Sequence, residues 1–144
     1  MKTGRRLAFD YGQVRIGVAT SDISGLLASP VATLVSTDEK LVEQLHSLLV
    51  EYEPIYLVVG APKHLSGASN PSLLAAHDFA DLLRSITDIP VYLIDERLST
   101  VSAARALRSS GYNAKESKTR IDAMAAVAIL ESALERERIA GHLE

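Results

Sequence analysis

A ten-residue segment near the C-terminus, residues 121–130, constrains the fold more than any other part of the chain. Its sequence is IDAMAAVAIL, and Asp122 is its one charged residue. A helix that is apolar on all sides is normally buried. A buried carboxylate is costly to ionise unless a positive partner meets it. The fold is therefore expected to cover this helix and to bring a positive charge to Asp122.

Two other acidic positions follow short apolar runs that are typical of strands. Asp10 comes after residues 7–9, and the pair Asp95 and Glu96 comes after residues 91–94. Side chains alternate between the two faces of a strand, so at most one member of the pair is expected in a shared site. If the fold brings these places to Asp122, the positive partner is a divalent metal and the chain is a metal-dependent hydrolase.

Each of these acids also has a purely structural interpretation. The Asp10-x-Gly12 pattern is common in turns, where the carboxylate bonds to nearby backbone amides. Glu96 lies in a charged triplet, residues 95–97, that can simply be exposed to solvent. Asp122 can form an ion pair with Lys118, which lies four residues earlier on the same helix. The combination of the three acids favours a site more than any one of them does.

The spacing of apolar residues predicts a mixed five-stranded sheet with helices on both faces. The first three strands form an antiparallel meander, a tight turn at residues 11–13 joins the first two, and the later strands are parallel. Ligands usually bind beyond the carboxyl ends of parallel strands. The predicted strands are 6–10, 14–20, 29–34, 55–60 and 91–94, the helices are 38–52, 71–87, 100–109 and 118–139, and the loops include 61–69 and 110–119.

Composition restricts the class of protein further. The 144 residues predict one domain, 1–144, and the absence of cysteine excludes disulfides and thiolate metal sites. No apolar run approaches the roughly 20 residues that span a bilayer, and no signal-peptide core is recognisable, so a soluble cytoplasmic protein is expected. A net charge of −3 means that nucleic acid would have to be bound through local basic clusters.

Carboxylates are the usual protein ligands of Mg²⁺ and Mn²⁺. Two such ions can clamp the attacking and leaving oxygens of a phosphodiester displacement. The basic residues near the three acids are candidate contacts for the phosphates of a substrate. They are Arg15, Lys63, Arg97, Lys118 and Arg120.

The segment DYGQVRIGVATSD, residues 10–22, closely resembles the opening of the YqgF family. These bacterial nucleases are related to the RuvC-type Holliday junction resolvases. The resemblance continues at residues 95–100 (DERLST) and 121–130, and it covers nearly the whole chain in order. It implies an RNase H-like fold and a role in maturing the 5′ end of pre-16S ribosomal RNA.

The resemblance also implies that Asp10, Glu96 and Asp122 occupy the family's acidic active-site positions. One departure is visible, since the chain has Gly60-Ala61-Pro62 where the family usually has Gly-Leu-Pro. This difference changes the packing near the following loop and leaves the proposed acids untouched.

Four hypotheses for function remain open at this point. The first is an endonuclease acting on structured RNA, and the second is a Holliday junction resolvase acting on branched DNA. The third, ATP-dependent phosphotransfer, is disfavoured because 144 residues leave no room for a second domain. The fourth is an RNA-binding assembly factor without catalysis. The mostly polar segment 131–138 offers no large apolar face, so a monomer or weak homodimer is expected.

Overall fold

The apolar residues that precede Asp10 form the central strand of a five-stranded sheet. The computed structural model describes residues 2–61, 71–95 and 114–143, and within them the side chains of residues 2–61, 73–94 and 123–143. The elements in these ranges are β1 (Arg6–Tyr11), β2 (Arg15–Ser21), β3 (Ala28–Val35), α1 (Leu41–Tyr52), β4 (Tyr56–Ala61), α2 (Pro71–Ile86), β5 (Val91–Asp95) and α3 (Ala114–Ala140).

The strands lie in the order β3-β2-β1-β4-β5. β1 pairs antiparallel with β2 and parallel with β4, and β4 pairs parallel with β5. The predicted mixed sheet, a meander followed by parallel strands, is confirmed. We call the side on which β1, β4 and β5 end the carboxyl edge and the opposite side, on which they begin, the amino edge.

Two apolar cores cover the two faces of the sheet. One face packs against α1 and α2, where Phe9 meets Phe79 with ring centroids 5.5 Å apart. The other face packs against α3 and includes Ala8 and Val58. All six residues of β4 are buried, as its continuous apolar run predicts. Helices on both faces are thereby confirmed.

The prediction for the last helix and the loop before it was partly wrong. The helix begins at Ala114 instead of Lys118, so residues 114–119 of the expected loop 110–119 are helical. Lys115 and Glu116 are strong helix formers, and a polar composition therefore does not end a helix. β4 likewise takes in Ala61 from the expected loop 61–69. The predicted helix 100–109 lies outside the described residues.

None of the helices in the described ranges has the length and hydropathy that a membrane span requires.

The turn between β2 and β3 is organised by the carboxylate of Asp22. Its Oδ1 accepts hydrogen bonds from the backbone amides of Leu26 at 2.8 Å and Leu27 at 3.1 Å, and its Oδ2 accepts one from the Ser24 hydroxyl. The bond from Ser24, followed by the bonds from the amides, lowers the pKa of Asp22 from 3.8 to about 2. These bonds favour the charged carboxylate.

The lowered pKa predicts a pH-dependent contribution to stability. A carboxyl group with a lowered pKa in the folded state stabilises the protein above its unfolded pKa, and this contribution is lost as the pH falls through the folded value. Asp22→Ala should therefore lower the melting temperature above about pH 4, with the difference from wild type shrinking toward pH 2. Thermal melts between pH 6 and pH 2 test this, with Asp88→Ala as an exposed control. A difference that stays constant over this range contradicts the prediction.

Candidate active site

Asp10 lies near the carboxyl edge, in the second half of β1. It is half-buried and stands opposite Gly17 of β2. Ala8, two residues earlier, belongs to the core under α3, whereas Phe9 belongs to the core under α1 and α2. Because alternate residues share a face, position 10 is on the α3 side of the sheet. The central strand therefore carries an acidic residue on the same side as the helix that contains Asp122.

A tight turn follows Asp10 and leads directly to Arg15. The amide of Gly12 donates to the carbonyl of Arg15 over 2.9 Å. A Cβ atom at Gly12 would lie 2.6 Å from that carbonyl oxygen, which is too close for any side chain. The Ser36 hydroxyl also donates to the carbonyl of Gly12. The predicted turn is confirmed, and glycine is required for its close approach.

Arg15 begins β2 at the carboxyl edge, where it pairs with Val35 and is half-buried. It therefore lies beside the same turn as Asp10. The backbones of Lys118, Arg120 and Asp122 belong to α3, but their side chains lie outside the described set. Lys63, Glu96 and Arg97 fall outside the described residues altogether.

The described acids do not by themselves form a metal site. Among the side chains that the structure describes, no group of three or more His, Cys, Asp or Glu residues could hold a metal ion. Of the three predicted metal ligands, Asp10, Glu96 and Asp122, the structure describes the side chain of Asp10 alone. Its carboxylate provides the oxygen donor that Mg²⁺ and Mn²⁺ prefer, so the donor chemistry at this edge fits such an ion.

A buried polar cluster at the amino edge was missed by the sequence analysis. Arg6, fully buried, forms an ion pair with Glu137 of α3, with 3.1 Å between Nη2 and Oε2. The Tyr56 hydroxyl donates to Oε1 of Glu137 over 2.8 Å. The Arg6 guanidinium also lies 5.6 Å from the centre of the Tyr56 ring. We call these three residues the α3 clamp.

Burial and the hydrogen bond to Glu137 both raise the pKa of the Tyr56 phenol. The phenol therefore stays protonated and continues to donate its hydrogen bond. A local signal for the clamp did exist in the sequence. Glu137 follows Leu130 by seven residues and Leu134 by three, which places it on the buried stripe of the helix. The polar appearance of segment 131–138 concealed that periodicity.

A mixed sheet with this strand order, with helices on both faces, is the architecture of the RNase H-like folds. Two solved structures of Thermus thermophilus RuvC share it. RuvC in complex with a Holliday junction substrate superposes with a TM-score of 0.58, and RuvC alone with 0.55. Each match covers 94% of this chain and 96% of the other at 16% identity, a likeness that shows the fold.

The sequence relatives narrow the class to one family. The profile of the family described as "RuvX: Holliday junction resolvase" matches residues 4–136. A protein of Streptomyces coelicolor is 46% identical over 98% of this chain and 86% of its own length, and one of Clavibacter michiganensis is 48% identical over 98% and 89%. Both are named "Putative pre-16S rRNA nuclease". The chain belongs to the RuvX family, which confirms the predicted YqgF relationship and the enzyme class, a nuclease.

Proposed function

We propose that this protein is a metal-dependent endonuclease that processes the 5′ end of pre-16S ribosomal RNA. The observation that carries the proposal is the position of Asp10, on the α3 side of the central strand at the carboxyl edge. The substrate follows the name that close relatives bear. The proposal includes a single domain, residues 1–144, acting in the cytoplasm as a monomer or weak homodimer.

Asp10, Glu96 and Asp122 are the proposed ligands of Mg²⁺ or Mn²⁺. The alternation within β5 supports Glu96 over its neighbour Asp95. Tyr92 and Ile94 face the α3 side of the sheet, so a continued alternation would assign position 96 to the same side as Asp10. When bound, the ion supplies Lewis-acid stabilisation of the phosphate and a stronger nucleophile at neutral pH.

The length of α3 and the position of its C-terminal part are consistent with Asp122 as the third ligand. Glu137 fixes the C-terminal part of the helix at the amino edge through Arg6. With a rise of 1.5 Å per residue, the backbone of Asp122 lies about 22 Å from Glu137 along the helix axis. Arg6 and Asp10 are about 13 Å apart along β1. The helix is thus long enough to carry Asp122 across the sheet to the carboxyl edge.

The basic residues near this edge would bind the phosphates of the RNA. Arg15 lies beside the turn that follows Asp10, and Lys118 and Arg120 precede Asp122 in α3. Lys63 and Arg97 follow β4 and β5 in the sequence. Contacts of this kind fix the backbone of a substrate in register without reading its bases.

The direct test is cleavage of labelled pre-16S RNA by the purified protein. We expect products with a 5′ phosphate and a 3′ hydroxyl in the presence of Mg²⁺ or Mn²⁺. A chelator should abolish cleavage, and added metal should restore it. RNA that stays intact with either metal, or cleavage that persists in the chelator, contradicts the proposal.

The family description favours a second candidate, resolution of Holliday junctions. The chemistry is the same, but paired nicks across a junction require two sites related by symmetry. A four-way DNA junction should therefore be tested beside the RNA, together with sedimentation of the protein. Symmetric nicking by a dimer, with intact RNA, selects this candidate.

Two adjacent acids provide a sharp test of the proposed ligands. Glu96→Gln should reduce cleavage by about 100-fold or more, whereas Asp95→Asn should leave it within a few-fold of wild type. Both variants remove one negative charge at neighbouring positions, so each controls for the other. Single-turnover rates at saturating metal measure the difference. Equal losses in the two variants contradict the assignment by strand alternation.

Lys118→Ala should weaken RNA binding more than turnover. Removal of one phosphate contact raises KM at low salt and reduces the salt dependence of binding. Lys2→Ala is the matched control, since Lys2 is exposed and precedes β1 at the amino edge. The measurement is KM and kcat at two ionic strengths. An unchanged KM at low salt contradicts a role for Lys118 in binding.

A further inference from the structure

The buried face of α3 changes along the part of the helix whose side chains are described, residues 123–140. Next to Asp122, the buried residues are Ala123, Ala125 and Ala126, followed by Val127. The larger buried side chains, Ile129, Leu130 and Leu134, lie further along the helix. Each alanine contributes a single methyl group to the contact with the sheet, so this stretch buries less apolar side-chain surface per residue than the stretch beyond it. Within the described side chains of α3, the stretch nearest Asp122 therefore contributes less side-chain packing than the stretch beyond it, although Met124 also packs against the core.

The α3 clamp provides directional contacts at the other end of the helix. Arg6 and Tyr56 are direct register partners on the neighbouring parallel strands β1 and β4. The two oxygens of Glu137 bond to these two residues, one oxygen to each. The Arg6 guanidinium is itself held by the carbonyls of Lys2 and Gly4. A carboxylate that must meet both partners has one rotation and one axial position of the helix available.

Glu137 is buried, and its carboxylate lies where its two hydrogen bonds hold it. A cavity of about 370 Å³ adjoins the clamp and is lined by Glu137, Tyr56 and Tyr92 among others. A buried ion pair of this type adds little stability compared with apolar side chains of similar volume. Its better attested effect is to select one arrangement among several of similar energy.

Geometry connects the clamp to the proposed active site. Glu137 follows Asp122 by 15 residues, which is about four helical turns and a net rotation of roughly 60°. Both residues therefore belong to the same side of α3. A slip of one residue at the clamp would turn the helix by about 100° and displace position 122 by the same angle around the helix axis.

We propose that Arg6, Tyr56 and Glu137 are positioning residues that set the rotation of α3 and thereby the placement of Asp122 for catalysis. This inference rests on the proposed function, in which Asp122 is a metal ligand. The clamp acts at the amino edge, at a distance from the reacting atoms. The role of the clamp is to select one rotation and axial position of α3, and it adds little stability compared with apolar side chains of similar volume.

The test uses an apolar replacement of the whole clamp, Arg6→Met, Tyr56→Phe and Glu137→Leu together. Because the three polar side chains leave together and only the part-buried carbonyls of Lys2 and Gly4 lose a donor, the melting temperature should change little. The chain has no cysteine, so spin labels can be placed at Ser132→Cys on α3 and Val50→Cys on α1, both of which are exposed. Double electron–electron resonance then reports the position of α3 without reference to activity.

We expect a single narrow distance between the labels in the otherwise unchanged protein and a broadened or displaced distribution in the triple variant. The Mn²⁺ concentration that gives half-maximal cleavage should rise about tenfold or more. Glu137→Gln is the conservative control, since its amide retains an acceptor for Arg6 and a hydrogen bond to Tyr56. The Glu137→Gln protein should keep the narrow distance and the metal dependence of the protein with an intact clamp.

An unchanged narrow distance and an unchanged metal requirement in the triple variant overturn the inference. If the triple variant does not unfold cooperatively, Arg6→Lys decides instead, because lysine cannot reach all three oxygens. A broadened distance in Arg6→Lys supports the clamp, and an unchanged one overturns it. Failure of the wild-type protein to cleave RNA would refute the proposed nuclease while leaving the distance measurement as an independent test of helix register.

Discussion

Replacement of Asp10 by asparagine is expected to lower the rate of RNA cleavage by about 1000-fold or more without unfolding the protein. The amide has nearly the same shape as the carboxylate but lacks the charge that would hold a divalent ion. Loss of an outer partner of a metal ligand already costs about 10- to 100-fold, so loss of the ligand itself should cost more. The fold should survive because β1 pairs with both neighbours through its backbone. Single-turnover cleavage at saturating Mg²⁺ and a thermal melt provide the two measurements.

Asp88→Asn is the matched control for this variant. Asp88 is exposed and lies just before β5, at the amino edge. The substitution removes the same charge at the opposite side of the sheet, so its cleavage rate should equal that of wild type. Cleavage by Asp10→Asn at the wild-type rate, or an equal loss in both variants, would refute the site proposed at the carboxyl edge.

Glu137→Ala is expected to destabilise the protein by about 3–5 kcal/mol. The substitution leaves the Arg6 charge buried without its counterion, and it removes the acceptor of the Tyr56 hydroxyl. The hydrogen bonds of the Arg6 guanidinium are already incomplete before this loss. Within the described ranges, its Nε atom already makes no hydrogen bond. Urea unfolding should show a lower midpoint with an unchanged slope, the signature of lost stability in a two-state transition.

The neighbouring Glu135 provides the control for this prediction. It lies two residues earlier in α3 and is exposed. Glu135→Ala removes the same groups from the solvent side of the same helix, so the free energy of unfolding should change by no more than about 0.5 kcal/mol. Coincident urea transitions for Glu137→Ala and Glu135→Ala would mean that the buried ion pair has no energetic role.

The elements of this fold could be predicted where hydrophobic periodicity is strong. The continuous apolar run of β4 indicated a buried strand, and all of it is buried. The apolar run in β1, the alternation in β2 and the turn at Gly12 indicated the hairpin, which forms with Asp10 opposite Gly17. The start of α3 was placed too late because polarity was taken as the sign of a loop. Helix propensity, which is also local, favours helix at Lys115 and Glu116.

The sequence alone thus determined the strands, most of the helix boundaries and the acidic residues available for a site. Only the tertiary structure decided that Arg6 and Tyr56 meet Glu137, although these residues are 131 and 81 positions away from it in the chain. The physical reason is that burial and periodicity depend on near neighbours in the sequence, whereas the partner of a buried charge depends on which strands become adjacent. That adjacency, with α3 on one face of β1, also put Asp10 and the helix of Asp122 on the same side of the sheet.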